Sequence, residues 1–208
     1  MDAPKSLGTP AVRQARLAAL DKPHVQPLTE FVHSLRKEMG ADCSIPFFDP
    51  LDGGTLAECL FLLEAPGPKA VTSGFVSRNN PDETARNFYE LSNEAGLARE
   101  RTIMWNVVPW YIGSGTKIRP ATSRDLRVAG PALERLLMLL PRLHTVVLVG
   151  AKSARAKQAV QRMAPGVRVH VIPHPSPMFV NRSPRNRSIL KDKLCCIAES
   201  FPQPTRID

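Results

Sequence analysis

Leu60-Phe61-Leu62-Leu63-Glu64-Ala65-Pro66-Gly67-Pro68 is a run of four apolar residues that breaks abruptly into a rigid Pro/Gly loop. An unbroken apolar run of this length suits a strand buried on both faces, as in a parallel sheet. Three further segments repeat the pattern. Thr102-Ile103-Met104-Trp105 ends at Asn106 to Pro109, Val146-Val147-Leu148-Val149 at Gly150-Ala151, and Val167 to Ile172 at Pro173-His174-Pro175. Helical patterns fill the intervals: Pro81 to Ala95, Pro131 to Leu140, Lys152 to Met163 and Asn186 to Ser200, with Pro10 to Leu20 and Leu28 to Met39 ahead of the first strand. Strand–helix alternation predicts an α/β fold, a three-layer αβα domain around a central, mostly parallel four-stranded sheet. Residues 26–208 are expected to form this single domain, with residues 1–25 as a loosely attached N-terminal arm.

The 208 residues are 43% hydrophobic and 23% charged, which excludes a disordered chain, a collagen-like repeat and a disulfide-stapled miniprotein. No apolar run reaches membrane-spanning length, and Met1 to Leu20 lacks the unbroken apolar core of a secretory signal. Charge is divided unevenly. Residues 1–100 carry ten Lys/Arg against fourteen Asp/Glu, whereas residues 101–208 carry eighteen against five, a balance of +13. A cationic half points to a polyanionic partner, usually nucleic acid, although a merely basic surface has the same composition. Cys43, Cys59, Cys195 and Cys196 show no C-x-x-C spacing, and the five histidines no H-x-x-x-H. Reduced thiols in a soluble, cytoplasmic protein without a metal are the expectation.

In open α/β sheets the ligand lies beyond the carboxyl ends of the strands, so the chemistry belongs in the four loops. Val149-Gly150-Ala151-Lys152-Ser153 lacks the glycines of a Walker motif. It remains open between a single-phosphate contact made by backbone N–H groups and an ordinary helix start. The H-x-E and P-C-x-x-C of a zinc deaminase and the G-x-S-x-G of a serine hydrolase are absent. A carboxylate (Glu64), an amide (Asn106) and an imidazole (His174) remain at three strand ends of one sheet.

Glu64-Ala65-Pro66-Gly67-Pro68 after an apolar strand, Asn106 closing a middle strand and His174-Pro175-Ser176-Pro177 after the last strand resemble the uracil-DNA glycosylase superfamily, from about Leu56 to Ser200. The resemblance implies a three-layer enzyme that flips uracil from DNA and hydrolyses its N-glycosidic bond in base-excision repair. It would be monomeric, without a cofactor in most branches. It assigns uracil stacking to Phe75, edge reading to Asn106, stabilisation of the leaving base to His174, and the sugar cation and water to Glu64. Ala65 and Gly67 would border the base. Pro66, Pro68, Lys152, Ser153, Pro175, Ser176, Pro177 and Arg182 would contact DNA, with Met178 as the apolar wedge.

The chain departs from the best-known branch at two positions. Ala65 stands where that branch has an aspartate, and Gly67 where it has the tyrosine that excludes thymine. The glutamate-bearing branches usually carry an iron–sulfur cluster, which the cysteine spacing here does not support. Two alternatives follow: a glycosylase for another deaminated base such as hypoxanthine, and a non-catalytic uracil-DNA-binding module of the same fold.

Overall fold

A computed structural model describes residues 1–40, 43–115 and 117–201. In chain order its strands are β1 (Phe47–Phe48), β2 (Cys59–Leu63), β3 (Phe75–Val76), β4 (Thr102–Asn106), β5 (Gly113–Ser114), β6 (Lys117–Ile118), β7 (Thr145–Val149) and β8 (Arg168–Ile172). Its helices are α1 (Pro10–Leu17), α2 (Gln26–Met39), α3 (Pro68–Ser73), α4 (Glu83–Glu94), α5 (Ser123–Met138), α6 (Lys157–Met163), α7 (Pro177–Val180) and α8 (Pro184–Glu199).

Four strands form one parallel sheet in the order β4-β2-β7-β8, flanked by helices. The register opposes Leu63 to Asn106, Leu62 to Leu148 and Val149 to Ile172, so all four carboxyl ends emerge along one edge. From β2 the chain crosses first to one neighbour, β4, and then back past it to β7, which places a topological switch point at β2.

The apolar runs are buried in β2, β4 and β7, whereas β8 buries only Ile172. As an edge strand with one neighbour, β8 keeps Arg168 and Val171 exposed, unlike the doubly covered strand its composition suggests. Helix α4 begins where Asp82 caps it, its carboxylate accepting from the Ala85 N–H at 2.9 Å. Phe88 then meets Phe61 of the sheet edge-on at 5.0 Å. Helix α5 starts eight residues before the expected Pro131. Thr122 and Asp125 form a reciprocal capping box there, and Pro131 is carried inside the helix.

Residues 1–25 lie against the body rather than standing off as an arm. Leu7 and Val25 are core residues, and the Leu7 N–H donates to the Asn79 carbonyl at 3.1 Å. Arg16 pairs with buried Asp49 at 2.9 Å, and Arg99 binds Asp2, Asp49 and Asp52 together. Opposite charges desolvated side by side compensate one another, and removing one partner would strand the other. Among the described residues no helix is long and apolar enough to cross a membrane.

Candidate active site

Three of the four strand ends open into one cleft of about 450 Å³, bordered by Glu64, Ala65, Pro66, Gly67 and Pro68 after β2, by Asn106 at the end of β4, and by His174 and Pro175 after β8. Separate loops thus bring the carboxylate, amide and imidazole into one space.

Asn106 is nearly fully buried on the cleft floor. Behind it Trp105 stacks on Phe48, with ring centres 3.7 Å apart and planes 12° from parallel. The β4 ladder and this stack hold the Asn106 backbone rigidly. Its side-chain Nδ2 is buried without a hydrogen-bond partner. Leaving a buried donor unmade costs about 1–3 kcal/mol, so the empty bond marks a place for a ligand acceptor.

Glu64 presents its carboxylate at the cleft wall, where Oε1 accepts from the Ala121 N–H at 2.6 Å. Among the described residues Oε2 has no hydrogen-bond partner. One oxygen is therefore anchored and the other is available to a substrate.

His174 is drawn into the cleft by the backbone around it. Buried Asn87 of α4 donates to the Pro175 carbonyl at 3.0 Å, tying this loop to the helix. On the other side the Gly150 N–H donates to the Ile172 carbonyl at 2.8 Å. Burial pushes the imidazole below its ordinary pKa, with the Glu64 and Asp82 carboxylates opposing that shift. At neutral pH the ring is uncharged and still carries one N–H donor.

A family model, described as the uracil DNA glycosylase superfamily, matches residues 45–194. The chain belongs to this superfamily. By family and fold it is therefore a DNA glycosylase. A search of curated proteins finds no match. Among solved structures the glycosylase is similar to the crystal structure of wild-type Pedobacter heparinus SMUG2, at a TM-score of 0.55 and 14% identity over 86% of this chain and 85% of that one. It is also similar to the solution structure of a candidate uracil DNA glycosylase from Methanosarcina acetivorans, at 0.49 and 19%, covering 71% and 93%.

The remaining sequence-derived positions of this glycosylase fall into three places. Met178 is 86% exposed at the start of α7, beside Ser176 and Arg182 on a shallow outer depression, with Pro177 opening the helix. Lys152 is exposed after β7, but Ser153 is fully buried and its hydroxyl donates to the Gly150 carbonyl at 2.9 Å, so that hydroxyl is engaged within the fold. Phe75 is also fully buried. It packs on Phe47 with ring centres 6.3 Å apart, while its neighbour Val76 lines the cleft. Successive strand residues point to opposite faces, so Phe75 lies one layer behind the wall it was expected to form.

Asp82 and Ser77, which border the cleft, and Ala121, which anchors Glu64, carried no sequence signal of a site. Pro81, just before Asp82, reads in the sequence only as a helix start. Burial raises the Asp82 carboxyl above its usual range, opposed mainly by the backbone N–H groups it caps. The Ser77 hydroxyl is bound to buried Asp49, linking the cleft wall to the ionic cluster that holds the N-terminal residues. Among the described residues no group of three or more His, Cys, Asp or Glu is arranged to hold a metal ion.

Proposed function

We propose that this glycosylase removes uracil from DNA as a monomer without a cofactor, hydrolysing the N-glycosidic bond of a flipped nucleotide and leaving an abasic site. The observation that carries this reading is the unpartnered Nδ2 of Asn106 on the cleft floor. Uracil presents the O4 acceptor that Nδ2 lacks, and its N3–H can be received by the same side-chain amide. Cytosine reverses both groups, so the fixed amide would face two mismatches of about 1–3 kcal/mol each.

Flipping costs a few kcal/mol of stacking and pairing. Met178, already exposed, fills the gap left in the stack, and Lys152 and Arg182 neutralise phosphates beside it. The Pro66, Pro68, Pro175 and Ser176 loops press on the backbone near the cleft mouth. Val76, Met104 and Phe88 supply apolar wall for the base.

As the glycosidic bond breaks, negative charge develops on the base and positive charge on the sugar. The neutral His174 N–H donates to uracil O2 as that oxygen gains charge. The Glu64 oxygen not held by Ala121 faces the sugar cation and orients the water that attacks it.

A second reading, excision of a larger deaminated base such as hypoxanthine, draws on Gly67, whose missing side chain would meet no atom within 4 Å. Incubation with oligonucleotides bearing uracil, hypoxanthine or a mismatched thymine, followed by alkali, separates the readings. Breaks at uracil support the first, and breaks only at hypoxanthine the second. Retarded uracil-DNA complexes without breaks would instead indicate a binding module.

A further inference from the structure

We propose that Arg155 is a positioning residue for Glu64 and acts through the backbone of Ala121. This inference rests on the reading of Glu64 as the group that faces the sugar and the water. Arg155 lies on the short 3-10 turn Ser153–Ala156 that follows β7. Its Nη1 donates to the Ala121 carbonyl at 2.7 Å and its Nη2 to the Ser123 hydroxyl at 2.8 Å. On its other side Ala121 donates its N–H to Glu64 Oε1 at 2.6 Å. One buried alanine backbone therefore joins a cation at the end of β7 to the carboxylate at the end of β2.

The segment around Ala121 is stiff, so the connection can carry position. Arg119 grips Asp125 through two hydrogen bonds of 2.7 and 2.9 Å, and Asp125 in turn closes the capping box with Thr122. Residues 119–125 thus form a small block in which the Ala121 N–H and carbonyl bond to groups outside the segment, Glu64 and Arg155. Arg155 holds that block against the strand edge, and the block holds Glu64. A planar guanidinium satisfies two acceptors at fixed separation, which a lysine ammonium cannot match. Without Arg155 the Ala121 carbonyl would lose its charged partner and the block its tie to the turn after β7, and the carboxylate would lose its fixed placement relative to the sugar. Misplacement of a reacting group by about 1 Å can cost on the order of a hundredfold in rate.

Arg155 is exposed and neighbours Lys152, so the rival role is a phosphate contact. Single-turnover excision of uracil from an oligonucleotide, with DNA affinity and thermal melting measured alongside, distinguishes the two. Arg155→Ala should slow excision at least about tenfold while DNA affinity changes less than about twofold, and Arg155→Lys should recover part of the rate. In a Glu64→Ala background there is no carboxylate to place, so adding Arg155→Ala should slow the reaction no further. A multiplicative loss in the double variant would overturn the proposal. So would a wild-type rate in Arg155→Ala, or a defect confined to affinity with a salt slope lowered by about one phosphate. If the wild-type protein itself excises no uracil, the functional reading falls and this inference with it. An active wild type with an insensitive Arg155 overturns the inference alone.

Discussion

Gly150 and His174 approach so closely that a Cβ added to Gly150 would lie 3.0 Å from the Cβ of His174. Gly150 also has a φ of +90°, in the region L side chains rarely adopt. The end of β7 thus closes on the imidazole loop only because no side chain intervenes. Gly150→Ala should lower stability by about 1–3 kcal/mol from backbone strain. It should also slow excision beyond what the loss of folded protein explains. Chemical denaturation and single-turnover assays at a temperature where the variant remains folded separate the two effects. Normal excision would show that this approach does not set the imidazole.

Asn106 combines stability cost with function. Asn106→Leu removes a buried donor that has no partner, so it should leave stability unchanged or raise it by about 1 kcal/mol. Uracil excision should be lost. Asn106→Asp should excise poorly yet bind undamaged DNA nearly normally, since a carboxylate cannot donate to O4 and phosphate contacts lie elsewhere. Parallel loss of binding and excision would assign Asn106 to the fold instead.

His174 and Glu64 serve opposite ends of the breaking bond. His174→Ala should reduce the single-turnover rate by about 100–1,000-fold with little change in DNA affinity. Glu64→Gln should also slow the reaction, by a smaller factor, because phosphates of the DNA also stabilise a sugar cation. A wild-type rate in His174→Ala would remove the imidazole from leaving-group stabilisation. A wild-type rate in Glu64→Gln alone would assign the water to another group.

The depressed pKa of His174 makes stability depend on pH. Unfolded histidine titrates at about 6.5, above the folded value. As pH falls through that range the unfolded chain binds a proton that the folded chain still refuses, so stability declines. Denaturation free energies between about pH 7 and pH 5 should therefore fall more steeply for wild type than for His174→Gln. His170, also depressed by burial, stays in both proteins as a common background. Equal slopes would contradict the burial argument for His174.

The cationic half, with eighteen Lys/Arg against five Asp/Glu, should make DNA affinity strongly salt-dependent. The logarithm of the binding constant should fall with the logarithm of salt at about −0.9 per duplex phosphate neutralised. Lys152→Ala and Arg182→Ala should each lower that slope by about one contact. A flat response would remove this surface from the interface.

The four strands were legible because each apolar run is buried and stops at proline, glycine or a polar residue. The meeting of Glu64, Asn106 and His174 in one cleft was legible for the same reason: parallel strands bring their carboxyl ends to one edge. The facing of Phe75 was not legible, because in a two-residue strand it depends on a one-residue register that no alternation announces. The start of α5 is masked by Pro131, a residue that favours a first helical turn but lies inside this helix, downstream of the Thr122 and Asp125 cap. Ala121 and Asn87 act through a backbone N–H and a contact 88 residues distant in sequence, neither of which leaves a motif. The docking of residues 1–25 rests on scattered charges that become a cluster only in the fold.

Identification of the free base released from an oligonucleotide holding a single dU, by mass spectrometry with wild-type protein in excess and a chelator present, tests the central claim most directly. The account predicts one uracil released per abasic site formed, with release abolished in Asn106→Leu. Absence of free uracil under these conditions, or equal release by Asn106→Leu, would contradict it.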